Sequence, residues 1–233
     1  MSKNQPRERA EQLAALAAKH LEGRGERAPL SVVDQLVYSL IARRAGPAGA
    51  AKIVRLLQEA FVDWNELRVS AAHQVARAMG DDRPWALEVA QQMKDVLTEL
   101  FCVRHNVALG TFKEMTPAQA RNFLQSLPHV DRAVAGDVLL LSLGMPSLPF
   151  HETTARVFFR LGLTPDDRTI QSNQRAAEHF FEPGLLLAVH LYLSECVFDL
   201  CDAEAAKCPE CPLKEHCDPH LRPSGRKKGH ETS

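Results

Sequence analysis

Apolar positions along this chain fall at helical spacing almost throughout, and no stretch alternates apolar and polar residues long enough to support a sheet. Residues 9–22 are rich in Ala and Leu and run into Gly-Arg-Gly, which predicts a helix and its stop. Ser31 and Asp34 form a capping signal for a second helix, whose buried face is Val32, Val33, Leu36, Val37, Leu40 and Ile41. Helical patterns follow near 48–61, 70–79 and 84–101. Thr116-Pro117-x-Gln119 starts another helix, with Thr as N-cap, Pro in the first turn and Gln reaching back, running to about Ser126. The pattern predicts an all-α fold with no solenoid repeat. The longest apolar run, around Leu185–Leu193, is broken by His190 and is too short to span a membrane.

Composition changes this picture little. The 233 residues are 45% hydrophobic and 24% charged, enough for one medium domain or two small ones. The first residues, MSKNQPRERAEQ, carry no apolar segment with a cleavage site, so the expected location is cytoplasmic, or nucleoid-associated in a bacterium. In a reducing compartment, clustered cysteines hold metal more often than they form disulfides. The formal net charge of −1 argues against a strongly basic nucleic-acid-binding surface.

Four of the six cysteines crowd into CDAEAAKCPECPLKEHC. Cys201, Cys208, Cys211 and Cys217 are separated by six, two and five residues. Four thiolates can bridge the irons of a [4Fe-4S] cubane or close a tetrahedral zinc site. Zinc ribbons use two short Cys-x-x-Cys hooks, and this stretch has one, which favours the four-iron cluster. Structural zinc and a coincidental thiol cluster are the alternatives. Cys102 and Cys196 lie outside the pattern and read as buried small hydrophobes.

Two further stretches matter. LPHVDRAVAGDVLLL, from Leu127 to Leu141, follows the helix capped by Thr116 and continues as an almost wholly apolar segment. MPSLPFHETTARVFFRLGL, from Met145 to Leu163, contains the pair Arg156-Val157. With the cysteine spacing at the end of an all-helical chain, these resemble the endonuclease III family of DNA glycosylases over roughly residues 30–217. The resemblance implies a helix–hairpin–helix and a helical-barrel domain over 31–147. It also implies a discontinuous iron–sulfur domain of 1–30 plus 148–217, leaving 218–233 as a loose basic tail. A cleft between the domains would present Ala133 from one side and His151 from the other.

At the positions that carry the family's chemistry this chain departs. The hairpin reads Leu-Pro-Gly-Val-Gly in the family, followed by a basic residue and the Schiff-base lysine. Counting from Leu127-Pro128, that lysine falls on Ala133. Counting back from Arg156-Val157, the family's aspartate falls on His151, and the interval of eighteen residues from Ala133 agrees with the family. A methyl group cannot attack the sugar C1′, and an imidazole cannot supply the negative charge that stabilises an oxocarbenium-like sugar. Glu152 adjoins His151 and is a candidate for a relocated carboxylate, as His151 is for a general base. An early-turn acid that favours the helix dipole, and a residue that fills a changed pocket, are the plainer readings of the two.

The implied DNA contacts are altered too. The hairpin glycines, which let backbone N–H groups approach a phosphate, are replaced by His129 and Asp131 around Val130, with Arg132 following. The loop after the first cysteine, basic in the family, holds Asp202, Glu204 and only Lys207. Arg43 and Arg44 occupy the segment that wedges into the duplex where a base is flipped out. Arg222, Arg226, Lys227 and Lys228 of the tail are further candidates for loose phosphate contacts.

The reading that follows is a monomeric binder of double-stranded, damaged or distorted DNA whose glycosylase and lyase activities are weak or absent. A monofunctional glycosylase working through His151 or Glu152 is the first alternative, and an iron–sulfur protein that has left DNA is the second. No membrane is involved in any of the three.

Overall fold

The computed structural model describes residues 5–23, 28–80, 84–104, 112, 114–165 and 170–218, and every described element is helical. The chain divides into two compact units, Gly23–Pro149 and Met1–Glu22 with Phe150–Ser233. Among the described residues no helix is long and apolar enough to cross a membrane. The candidate contacts in the tail, from Arg222 to Lys228, lie outside the described residues.

The unit Gly23–Pro149 is built on α2 (Val32–Ala60), α3 (Trp64–Val69), α4 (Ala72–Ala78), α5 (Pro84–Arg104), α6 (Pro117–Ser126) and α7 (Arg132–Asp137). Ser31 caps α2 as its position predicts, accepting from the Asp34 N–H at 3.1 Å. The two helices predicted over 31–61 form one kinked element. Gly46 adopts φ 71°, a conformation that costs glycine little, and Pro47 has no N–H to continue the ladder. Tyr38 braces the kink by donating its hydroxyl to the Pro47 carbonyl at 3.1 Å. The six-residue α3 is not foreseen from periodicity, since Leu67 is its one buried residue. Its start is nonetheless well made: Asp63 accepts from the Glu66 N–H at 2.7 Å. Leu36, Leu40, Ile41, Leu57, Val89, Met93, Leu124, Val134 and Leu139 share one core.

The other unit contains α1 (Gln5–Leu21), α8 (Glu152–Arg160), α9 (Ile170–Glu178) and α10 (Leu186–Tyr192), with the cysteine loop beyond. Ala10, Leu13 and Ala17 form the buried stripe of α1, which packs along α10. Phe150, Phe158 and Phe181 stack edge to face, with centroids 5.5 and 5.9 Å apart. Arg9 ties the two chain segments together, donating to the Leu161 carbonyl at 3.1 Å and reaching the buried Asp218 carboxylate at 3.4 Å. It passes so close to Gly162 (φ 70°) that a Cβ there would lie 2.9 Å from its Nη1.

Candidate nucleic-acid interface and cysteine cavity

The hairpin forms between α6 and α7. Thr116 and Gln119 make the reciprocal cap that the sequence predicts, at 3.3 and 2.9 Å, and Leu127 closes the helix onto the Leu124 carbonyl. The turn keeps a glycine-like backbone without glycine: His129 stands at φ 60°, the one non-glycine residue with positive φ among those described. A left-handed residue of this kind carries on the order of 1 kcal/mol of strain. The His129 ring offsets part of it by meeting Asp95 Oδ2 at 2.8 Å. Val130 sends its side chain into the core, so only its backbone is available to a phosphate.

Asp131 is the N-cap of α7. Its Oδ1 accepts from the N–H groups of Ala133 and Val134, each at 3.0 Å. Its Oδ2 lies 3.1 Å from Arg43 Nη2. The helix-start amides that a glycine hairpin would leave for a phosphate are thus already held by a carboxylate of this chain. Arg44 is paired as well, with Nη2 at 3.1 and 3.2 Å from the two Glu88 oxygens. Arg43, Arg44 and His129 therefore each face an acid in the same unit. Ala133 is buried at the first turn of α7. Beyond Asp137 the helix widens, with the Leu143 N–H reaching back five residues to the Val138 carbonyl at 3.1 Å.

In the other unit, His151 is the N-cap of α8 through its backbone, with no side-chain capping bond, and its ring is half-buried. Glu152 is exposed in the first turn, suited to the helix dipole. Four residues apart on α8, Arg156 and Arg160 reach the cysteine loop. Arg156 Nε donates to the Cys201 carbonyl at 2.9 Å. Arg160, itself buried, donates from Nη1 to Cys201 Sγ at 3.0 Å and from Nη2 to the Asp202 carbonyl at 3.2 Å. Arg156 stands out in the sequence only within the Arg156-Val157 pair and Arg160 not at all, because its partner Cys201 lies 41 residues away.

Cys201, Cys208, Cys211 and Cys217 line one small pocket with Arg160, Leu200 and Lys214. Burial pushes the Cys211 thiol up, and the neighbouring Cys201 and Cys208 add to the effect. Among the described residues no group of three or more His, Cys, Asp or Glu is arranged to hold a metal ion. Asp202 has a structural role in this loop: its Oδ1 accepts from the Glu204 and Ala205 N–H groups at 2.8 Å each, which holds its carboxyl below the usual range. Lys207 is exposed, and its backbone N–H closes the loop onto the Leu200 carbonyl at 2.8 Å.

The two remaining cysteines are not buried small hydrophobes. Cys102 is exposed, because the core face of α5 is taken by Met93, Val96, Leu97 and Leu100. Cys196 is half-buried and lies 3.5 Å from His20 Nδ1.

No protein-family model matches this chain, and no curated protein matches it with significance. Solved structures do match. A trapped covalent endonuclease III–DNA intermediate superposes with TM-score 0.72 at 16% identity, covering 93% of this chain and 96% of that one. A thermostable thymine-DNA glycosylase gives TM-score 0.65 at 14% identity, over 94% and 98% of the two chains. An H. pylori 3-methyladenine DNA glycosylase bound to 1,N6-ethenoadenine gives 0.60 at 13%, over 78% and 93%. The chain has the all-α helix–hairpin–helix fold of the DNA glycosylases. Within that class its architecture is that of endonuclease III.

Proposed function

We propose that this protein binds duplex DNA at damaged or distorted sites, as a monomer, with base release and strand cleavage weak or absent. The observation that carries this reading is the pair Ala133 and His151. A buried methyl group and the imidazole of a helix N-cap residue stand where the endonuclease III resemblance calls for an amine and a carboxylate. Neither an imine nor carboxylate stabilisation of a sugar cation is available from those two side chains. The similar structures solved with endonuclease III and DNA support duplex DNA as the partner.

Arg43, Arg44, His129, Arg132 and Lys207, with the backbone of Val130, form the proposed DNA contacts. The pairs Arg43–Asp131, Arg44–Glu88 and His129–Asp95 are all substantially exposed. Exposed pairs contribute only about 0–1 kcal/mol each, so phosphates can displace their acids at small cost. The outcome is weaker binding than a basic surface would give, with a log–log salt slope no steeper than about −4 for four cationic contacts. Asp131→Asn tests this directly. Asparagine still caps α7, while the charge beside the hairpin is lost and Arg43 is released. Affinity for duplex DNA should rise about tenfold, and the salt slope should steepen by about one phosphate. Unchanged affinity in fluorescence anisotropy would show that the hairpin does not meet DNA.

We propose further that Cys201, Cys208, Cys211 and Cys217 hold a [4Fe-4S] cluster. Four thiols lining one pocket, with the buried Arg160 guanidinium against Cys201, support that donor set. When bound, the cluster supplies four iron–thiolate bonds that cross-link residues 201–217. Its role here is structural, and the absence or presence of base-cutting chemistry is decided by other residues.

A further inference from the structure

The turn between α6 and α7 carries an imidazole at its tip. His129 stands at φ 60°, a left-handed backbone that histidine enters more readily than most L residues. Its side chain is 38% exposed and is engaged at one ring atom, with Nε2 2.8 Å from Asp95 Oδ2. The other Asp95 oxygen is taken by Gln91, whose Nε2 donates to Oδ1 at 2.7 Å. Both oxygens of the carboxylate are therefore committed, and the ring cannot turn over without giving up its partner. Among the described residues Nδ1 of His129 has no hydrogen-bond partner.

This arrangement decides what the ring can offer to DNA. An ionised carboxylate only accepts, so Asp95 keeps the ring proton on Nε2. In the neutral ring Nδ1 is then a bare lone pair. Phosphate oxygens are acceptors as well, so the two lone pairs repel and no contact forms. A second proton turns Nδ1 into a charged donor on the exposed side of the hairpin. The backbone offers little in exchange, because Asp131 already holds the Ala133 and Val134 amides at 3.0 Å each.

We infer that His129 is a proton-gated phosphate contact: the hairpin grips the DNA backbone through this ring only when both ring nitrogens are protonated, so binding takes up a proton. The inference rests on duplex DNA being the partner, as proposed above. The charged groups flanking the ring are Asp95 and, one turn further along α5, Glu99, with Asp131 and Arg132 at the start of α7 and Arg43 of α2 against Asp131. Lys94, next to Asp95, is spent on the Arg68 and Ser70 carbonyls. Histidine is the one residue type among these whose charge ordinarily changes between pH 5 and 8.

Affinity for a duplex carrying an abasic-site analogue, measured by fluorescence anisotropy at pH 8 and pH 6 in one fixed salt concentration, tests the inference. Binding should tighten about tenfold at pH 6, the worth of one charge-assisted hydrogen bond. The salt slope should steepen by about one phosphate over the same interval. His129→Asn places a residue that tolerates the left-handed turn but does not titrate, and should remove most of the tightening. Asp95→Asn is the sharper variant. Its amide can donate to a bare Nε2, which lets the neutral ring carry its proton on Nδ1 and reach a phosphate without acid. It should bind at pH 8 at least as tightly as the parent does at pH 6, with little further gain on acidification. Calorimetry at pH 7 in two buffers of different ionisation enthalpy should show proton uptake by the parent and markedly less by either variant. Equal tightening in the parent and both variants would overturn the assignment. So would Asp95→Asn raising affinity by the same factor at both pH values, which is the loss of a charge and nothing more. Binding by the parent that does not change with pH would overturn this inference alone, whereas no binding at either pH would overturn it together with the reading it rests on.

Discussion

Replacing Cys211 with serine is expected to abolish the broad visible absorbance of the purified protein and to release the whole segment from Phe198 to Asp218. The size of the effect follows from how little else holds that segment. Its buried side chains are Cys201, Leu213 and Asp218, and Leu213 is the only large apolar one among them. Ordering a chain costs about 1–2 kcal/mol per residue in backbone entropy, and one buried leucine returns about 2 kcal/mol. Local turns such as Cys211 to Cys208 and Lys214 to Cys211, at 3.2 and 3.1 Å, shape the loop without anchoring it. Arg156, Arg160 and Arg9 anchor the segment only near its ends, at Cys201, Asp202 and Asp218, and the proposed cluster would cross-link what lies between. Limited proteolysis should cut the Cys211→Ser variant within 198–218 under conditions that leave the parent intact. A colourless parent protein with one equivalent of zinc would replace the cluster by an ion.

Arg160→Met should destabilise the same unit by about 3 kcal/mol in chemical denaturation. The guanidinium is buried and contacts both Cys201 Sγ and the Asp202 carbonyl. Removing the guanidinium leaves the buried Cys201 sulfur and the Asp202 carbonyl without their donor, and an unsatisfied buried acceptor costs about 1–3 kcal/mol. Methionine fills similar volume, so a cavity contributes little to the loss. Arg156→Met is the control: its half-buried guanidinium donates to the neutral Cys201 carbonyl, a bond worth about 1 kcal/mol. Equal losses from the two variants would mean that charge beside Cys201 is not what Arg160 contributes.

Much of this organisation is visible in the sequence because it is local. Ser31 and Thr116 announce their helices through bonds spanning three residues, and the cysteine spacing points to one shared site. The buried helix within Leu127 to Leu141 is also readable from its own apolar run, and the hairpin before it from the endonuclease III resemblance. What escapes is either conformational or distant. The Gly46-Pro47 kink that joins the two expected helices carries a contact from Tyr38, nine residues before Pro47, that periodicity does not show. Asp131 reads as a misplaced charge facing DNA, although an Asp before a helix is a standard cap, and that is the role it takes. His20 and Cys196 are 176 residues apart, and no periodicity connects them. Only the packing of α1 on α10 does.

The central claim is that this endonuclease III fold has kept a DNA-binding frame and vacated its catalytic positions. Incubation with duplexes carrying an abasic site or an oxidised pyrimidine, with borohydride added to trap any imine, tests it most directly. The account predicts tighter binding to the lesion duplexes than to intact DNA, no covalent adduct and little or no base release. A trapped adduct, or base release abolished by His151→Ala or Glu152→Gln, would contradict it and establish a rebuilt active site in its place.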